Sequence, residues 1–209
     1  MLRRGTTRLT RVGIFPGSFD PIHAGHIAFA CAAGKRLKLD KIFFLVEPRP
    51  HRKQGVRALE HRVAMTKLAI KNDDHLGIII LEEARFAVDS TWPKITARFP
   101  GSELYMIMGE EALHHIATWP QIDEFVDTAP QFIVGLKNND DKADLQEKLY
   151  AMQHTKAFPF VYHIVDEPQP TVTSRSIRIK LKKRIIPDTI TKSVAQYIEK
   201  QDLYMSGAT

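Results

Sequence analysis

The chain has 209 residues, of which 44% are hydrophobic and 26% are charged, and its net charge is +6 at pH 7. A chain of this length can bury enough apolar surface to fold as one domain, and its single cysteine, Cys31, excludes a disulfide framework. No apolar run approaches the roughly 18 residues of a membrane span, so we expect a cytoplasmic protein with no membrane partner.

The N-terminal segment MLRRGTTRLTR is basic and contains no acidic residue. It lacks the apolar core of roughly 7–15 residues that a secretion signal requires. We predict a basic tail over residues 1–10 and one domain over residues 11–209, with a truncated organelle address as the second interpretation of the tail. Basic residues do not alternate with aromatic ones, so discrete phosphates are the expected ligands and nucleic acid is not.

Apolar runs alternate with helical stretches along the domain. This alternation is typical of an α/β fold, and we predict a single Rossmann-like domain whose doubly wound parallel sheet has helices on both faces. Strands are predicted at residues 12–15, 41–46, 77–81, 104–108, 131–135 and 160–165. Helices are predicted at residues 23–36, 59–70, 90–98, 110–117, 141–152, 174–182 and 190–200.

Three residues in these helices carry specific expectations. In the helix at 59–70, apolar residues recur at spacings of three and four, and Arg62 lies largely outside that stripe. The stripe is expected to pack against the sheet. Cys31 lies in a helical pattern beside alanines, and we expect a buried, inert thiol. Trp92 is expected to contribute to packing.

Residues 12–27, VGIFPGSFDPIHAGHI, combine an apolar strand, a turn rich in glycine and proline, and a helix start that carries two histidines. In an open parallel sheet, ligands bind beyond the carboxyl ends of the strands. Gly17 lets the backbone approach a phosphate closely, and the helix start offers unpaired amide donors. Because His23 and His26 are three residues apart, they project on one side of the helix, where both can donate to one phosphate chain.

Two other interpretations of this histidine pair are a solvated surface and a metal site. Zinc would need a third ligand and prefers a spacing of four residues on a helix. The other histidines show no matching arrangement, so we predict that the histidines are not metal ligands, and the sequence assigns no residue to a metal site.

The stretch GSFDPIHAGH resembles the (G/T)xFDPxHxGH signature of the nucleotidylyltransferase superfamily. Other segments resemble, in the same order, those of the bacterial nicotinate-mononucleotide adenylyltransferases. These segments are PRPHRK at 48–53, LEHRVAMTKLAI at 59–70, FAVDST at 86–91, MGEEALHHIATWPQIDEF at 108–125, VTSRSIR at 172–178 and YIEKQDLY at 197–204. The resemblance therefore covers nearly the whole chain.

This resemblance implies an enzyme that transfers AMP from ATP to nicotinate mononucleotide and releases pyrophosphate, giving deamido-NAD for NAD biosynthesis. It also implies Mg²⁺ held mainly by the ATP phosphates and water. A sister adenylyltransferase that uses nicotinamide mononucleotide or phosphopantetheine is the alternative, and a non-catalytic nucleotide-binding protein of the same fold is a further one. Assembly into a homo-oligomer is left open.

The resemblance also implies roles for individual residues. His23, His26 and Arg178 are expected to stabilise the phosphates at the reacting centre. The residues expected to bind ATP are Gly17, Ser18, Phe19, Lys53, Gly109, Glu110, Ser174 and Ser176. The residues expected to contact the acceptor are Ala87, Asp89 and Trp119.

Four positions depart from the family pattern. The basic segment is PHRK rather than PHK, so either Arg52 or Lys53 is expected to contact phosphate. Ala87 and Arg175 stand where the family usually has threonine, and Glu110 stands where it usually has aspartate. Ala87 removes a hydroxyl and Glu110 lengthens a carboxylate arm, and both bear on the preference for the acceptor. Arg175 is expected to add charge or to shift its loop.

Overall fold

The computed structural model describes residues 11–50, 55–110, 112, 116, 122–128, 130–137, 142–155 and 160–205. Within these residues, parallel strands form one sheet in the order β3–β2–β1–β4–β5–β6. The strands are β1 (Arg11–Gly17), β2 (Lys41–Val46), β3 (Leu76–Ile80), β4 (Glu103–Gly109), β5 (Gln131–Leu136) and β6 (Tyr162–Asp166). The predicted α/β fold with a doubly wound parallel sheet is confirmed, and each strand lies within two residues of its predicted bounds.

The helices lie between and after these strands. They are α1 (Ala24–Leu37), α2 (Leu59–Ile70), α3 (Trp92–Arg98), α4 (Ile122–Asp127), α5 (Lys142–Thr155), α6 (Ser174–Lys182) and α7 (Lys192–Lys200). The helix predicted at 110–117 lies largely outside the described residues. No helix in the described ranges is long and apolar enough to cross a bilayer.

The sheet separates two apolar clusters, because alternate side chains of a strand point to opposite faces. Phe15 of β1 belongs to the cluster that contains Phe29 of α1 and Ile198 of α7. Its neighbour Ile14 belongs to the cluster that contains Trp92 of α3. Helices therefore cover both faces, and Trp92, which is 2% exposed, contributes to packing as predicted.

Helix α4 was not predicted from the sequence, because six residues give fewer than two turns of periodicity. Its position depends on one aromatic side chain. Phe125 is fully buried and packs edge-on against Trp92, with ring centroids 4.8 Å apart, and against Phe132 of β5 at 5.8 Å. These contacts place α4 against the sheet.

The expected burial of Cys31 is wrong, and Arg62, although it lies outside the apolar stripe of α2, is buried. Cys31 is exposed, because it lies about 100° round α1 from the buried Ala30. Partial burial of its sulfur and the nearby Asp73 carboxylate raise the pKa of the thiol. Arg62 is fully buried in α2, where its guanidinium group donates hydrogen bonds to backbone carbonyls. The apolar periodicity of a helix contains no information about such distant acceptors.

Replacing Gly135 by alanine is expected to lower the free energy of unfolding by about 1–3 kcal/mol, through overpacking. A Cβ added at Gly135 would lie 2.9 Å from Cζ of the buried Phe29 and 2.5 Å from Glu167 Oε1. The carboxylate can turn away, but the enclosed ring cannot. In the register, Gly109 of β4 lies opposite Gly135, and a Cβ there would come no closer than 3.9 Å to Glu167 Oε1. Gly109→Ala is therefore the matched control for urea unfolding, and equal losses in the two variants would contradict this prediction.

Candidate active site

A cavity of about 710 Å³ opens at the carboxyl ends of the strands. Gly17 and Gly109, the last residues of β1 and β4, line it, and so do Lys137 and Glu167, which follow β5 and β6. The strand order reverses between β1 and β4, so their connections diverge to opposite faces and leave a crevice. The cavity therefore lies where a doubly wound sheet binds its ligand.

The turn between β1 and α1, residues 17–23, forms one wall of this cavity. Gly17, Ser18 and Phe19 all line the cavity, and Phe19 has a left-handed φ of 46°. A Cβ on Gly17 would lie only 2.8 Å from Cζ of Phe19. Because the buried Phe19 ring packs directly on Gly17, this position requires glycine for close approach.

His23 and His26 come together at the start of α1. Their rings stack with centroids 3.6 Å apart and an angle of 28° between the planes. The backbone N–H of His23 donates to Nδ1 of His26 at 3.3 Å. In a neutral imidazole one nitrogen accepts and the other donates, so this bond places the proton of His26 on Nε2. His26 lines the cavity and can present that Nε2–H as a hydrogen-bond donor.

His23 is the more deeply buried member of the pair, at 5% exposed. Burial lowers the pKa of its imidazole from 6.5 to about 4, so the ring is neutral at physiological pH. Its Nδ1 is buried and has no hydrogen-bond partner among the residues that the structure describes. Because His23 also lines the cavity, this unsatisfied nitrogen fits a site that is completed by a ligand.

Helix α6 brings the second predicted motif to the same cavity. Ser174 Oγ donates to the carbonyl of Pro21 at 3.0 Å, and Arg178 Nη1 donates to the carbonyl of Asp20 at 2.6 Å. Both side chains line the cavity, together with Arg175. The predicted clustering of the two histidines with Ser174 and Arg178 is therefore present in the structure. Arg175, a departure from the family pattern, adds a cation to the lining.

Four other predicted residues, all within the described ranges, do not line this cavity: Glu110, Ser176, Ala87 and Asp89. The hydroxyl of Ser176 donates to the carbonyl of Thr173 at 2.8 Å and so belongs to the cap of α6. Glu110 Oε1 lies 3.5 Å from Lys148 Nζ of α5. Ser176 is engaged by the cap of α6 and Glu110 by α5, so both have partners away from the turn between β1 and α1 (residues 17–23), which we call the phosphate turn.

The predicted acceptor residues lie in a separate turn. The backbone N–H of Ala87 donates to Thr91 Oγ1 at 3.1 Å, and the backbone N–H of Thr91 donates back to the carbonyl of Ala87 at 2.9 Å. Asp89, inside this turn, is exposed. Trp119, Lys53 and the alternative Arg52 lie outside the described residues.

Asp20 is a site residue that sequence reasoning missed. It is 2% exposed and lines the cavity. Its Oδ1 accepts from the Tyr204 hydroxyl at 2.5 Å and from the backbone N–H of Arg57 at 3.3 Å, and its Oδ2 lies 3.9 Å from Arg178 Nη1. Burial, followed by the charge of Asp20, raises the pKa of Tyr204. Asp20 therefore joins the C-terminal end of the described chain to the phosphate turn.

Glu167 and Lys137 were also missed. Both follow strands of the sheet and line the cavity. Their positions at strand exits, the same signal that singled out Gly17, were sufficient to find them. The cavity lining therefore contains three cationic side chains, Lys137, Arg175 and Arg178, and the carboxylate of Glu167. Such a lining suits a ligand that carries phosphates and a polar base or sugar.

The comparisons with known proteins agree with this geometry. Residues 14–180 match the model of the cytidylyltransferase-like family. The chain is 33% identical over 199 residues to a Thermus thermophilus protein named "probable nicotinate-nucleotide adenylyltransferase", covering 93% of this chain and 99% of that protein. A Neisseria meningitidis protein of the same name is 28% identical over 201 residues, covering 94% and 99% of the two chains.

A solved structure shares the fold. It is the Plasmodium falciparum nicotinic acid mononucleotide adenylyltransferase complexed with NaAD, which superposes with a TM-score of 0.72 at 19% identity over 93% of this chain and 97% of that one. The family match covers most of this chain, and the Thermus relative extends over nearly all of it. The protein therefore belongs to the cytidylyltransferase-like family and, within it, to the nicotinate-nucleotide adenylyltransferases.

Proposed function

We propose that this protein transfers the adenylyl group of ATP to nicotinate mononucleotide, forming deamido-NAD and pyrophosphate. The observation that carries the proposal is the convergence of the stacked His23 and His26 rings with Arg178 of α6 in one cavity at the switch point of the sheet. The names of the relatives and the NaAD complex of the Plasmodium falciparum protein support this choice of substrates.

In this reaction an oxygen of the acceptor's 5′-phosphate attacks the α-phosphorus of ATP. A new P–O bond forms there, and the bond from the α-phosphorus to the oxygen that bridges to the β-phosphate breaks. That oxygen takes the electron pair, and pyrophosphate leaves. The nucleophile is already anionic, so no side chain has to remove a proton, and catalysis depends on positioning and on stabilising charge.

The side chains divide this work according to their charge states. His26 presents its Nε2–H to a phosphate oxygen, since its Nδ1 accepts from the backbone. His23 stays neutral and hydrogen-bonds without adding charge, because burial lowers its pKa to about 4. Arg178 and Arg175 supply the positive charge that the departing pyrophosphate needs. Ser174 holds the phosphate turn through the Pro21 carbonyl.

The proposed cofactor is Mg²⁺, held mainly by ATP phosphates and water. In the described part of the chain, no group of three or more His, Cys, Asp or Glu side chains is arranged to hold a metal ion. Mg²⁺ commonly keeps several waters and binds through substrate phosphates with one or two carboxylates, and the carboxylate of Glu167 in the cavity lining fits such a site. When bound, the ion would neutralise charge on the phosphate chain.

The experiment that tests this function measures pyrophosphate release from ATP and Mg²⁺ with three separate acceptors. They are nicotinate mononucleotide, nicotinamide mononucleotide and phosphopantetheine, and omission of the acceptor is the control. We expect turnover that depends on the acceptor and is fastest with nicotinate mononucleotide. A preference for either other acceptor would assign the protein to a sister specificity. If no pyrophosphate is released with any of the three acceptors although ATP binds, the proposed activity is overturned in favour of a non-catalytic nucleotide-binding protein.

A further inference from the structure

Arg62 of α2 has a fully buried guanidinium group whose three nitrogens all donate to backbone carbonyls. Nε donates to Arg57 at 2.8 Å, Nη1 donates to Ser18 at 2.8 Å and to Glu47 at 2.7 Å, and Nη2 donates to Pro48 at 2.8 Å. The four carbonyls belong to two separate segments. Ser18 lies in the turn after β1, and the other three lie between the end of β2 and the start of α2.

A buried cation at this position is costly for folding alone. Removing a charged group from water is unfavourable, and well-packed apolar residues commonly replace buried ionic groups without loss of stability. The guanidinium group offers five N–H donors in a rigid planar fork, a geometry that an aliphatic side chain or a lysine cannot reproduce. What it provides here is a fixed arrangement of four carbonyls.

The bond to Ser18 orients the phosphate turn. The peptide between Ser18 and Phe19 is trans, so its N–H points opposite to its C=O. Arg62 draws that carbonyl toward α2 and thereby directs the amide of Phe19 away from the guanidinium group. Phe19 has a φ of 46°, a conformation that is strained for a non-glycine residue and persists only where its surroundings hold it. The bond from Arg62 supplies part of that restraint.

The remaining bonds hold the chain on both sides of the PHRK segment. The carbonyls of Glu47 and Pro48 precede that segment, and the carbonyl of Arg57 follows it. Gly55 and Val56, just before Arg57, line the cavity. One side chain therefore joins the described residues before and after that segment to the turn that carries Ser18.

We propose that Arg62 is a positioning residue for adenylyl transfer, which holds the phosphate turn, residues 47–48 and residues 55–57 in the relative arrangement that the phosphate chain requires. Arg62 is not among the described residues that line the cavity, so it acts through the backbone and does not touch substrate. This inference rests on the proposed function, because it assigns Arg62 to the same site.

The experiment compares wild-type protein with R62K and R62A, and with R98K as the matched control, since Arg98 is an exposed arginine of α3. Each protein is assayed for urea unfolding, for ATP binding by calorimetry with Mg²⁺, and for kcat and KM. We expect R62K to remain folded and to lose about 10–100-fold in kcat, because small misplacements far from the chemistry have effects of this size. R98K should match the wild type. Millimolar guanidinium chloride should partly restore the kcat of R62A by occupying the vacated site.

A folded R62K whose kcat and ATP affinity both lie within about twofold of wild type would overturn the proposal. Guanidinium that raises the stability of R62A but leaves its kcat unchanged would also overturn it, because the role would then be structural. If R62A does not fold, the kcat and ATP affinity of R62K alone test the proposal. The proposed function fails separately, when wild type is inactive with every acceptor. In that case a weaker ATP affinity of R62K, by about tenfold, still supports the positioning role, and an unchanged affinity rejects it.

Discussion

Replacing His26 by asparagine is expected to lower kcat by about 10²–10³-fold, the usual loss when one well-aimed donor to a developing charge is removed. His26 Nδ1 accepts the backbone N–H of His23 at 3.3 Å, and its other nitrogen, Nε2, is the donor proposed for the phosphates. Asparagine Oδ1 can replace Nδ1 as the acceptor for that backbone N–H, but asparagine has no group at the place of Nε2. The variant therefore removes the donor and retains the helix cap.

His26→Ala separates the two roles further. It removes the cap acceptor together with the donor, so it should lose as much kcat as the asparagine variant and unfold at a lower urea concentration. Both proteins should stay folded in water, because His26 is only half-buried. The matched control is His75→Ala, an exposed histidine whose ring lies 3.3 Å from the carbonyl of Asp40, and it should retain wild-type kcat. A folded His26→Asn enzyme with unchanged kcat would remove His26 from the mechanism.

Acidification from pH 7 to pH 4 is expected to lower the free energy of unfolding by about 3 kcal/mol through His23 alone, since one pKa unit corresponds to about 1.4 kcal/mol. Burial lowers the pKa of His23 from 6.5 to about 4 in the folded protein. Between those values the unfolded chain binds a proton that the folded protein does not, so falling pH favours unfolding. Above pH 6.5 both states are neutral and below pH 4 both are protonated, so the loss is confined to that window.

Urea unfolding of wild type and His23→Asn at a series of pH values between 7 and 4 measures this contribution. Asparagine does not titrate, so the variant should lack the His23 part of the slope while keeping the parts that other groups contribute. The difference between the two curves isolates the histidine. Parallel curves over the whole range would show that His23 titrates in the folded protein as it does in the unfolded chain.

Local patterns predicted the regular structure well. The observed bounds of α2 (Leu59–Ile70) and α6 (Ser174–Lys182) coincide with the predicted ones, since each helix begins and ends within a local signal. The cap of α6 is an example, because Thr173 Oγ1 accepts the backbone N–H of Ser176 three residues later. Helix α4 was missed because Phe125, the residue that holds it, packs on rings from α3 and β5 that a local pattern does not contain.

By itself, the sequence determined the doubly wound sheet, the strand–turn–helix unit with His23 and His26, and the family to which they belong. Strand and helix periodicity and the motif are properties of neighbouring residues, so they can be recognised without a fold. Only the tertiary structure showed that Arg62 is buried against Ser18, 44 residues away, and that Asp20 meets Tyr204, 184 residues away. These bonds form because sheet order and helix packing bring distant backbone and side chains together, and hydrogen-bond partners at such separations leave no periodic trace in the sequence.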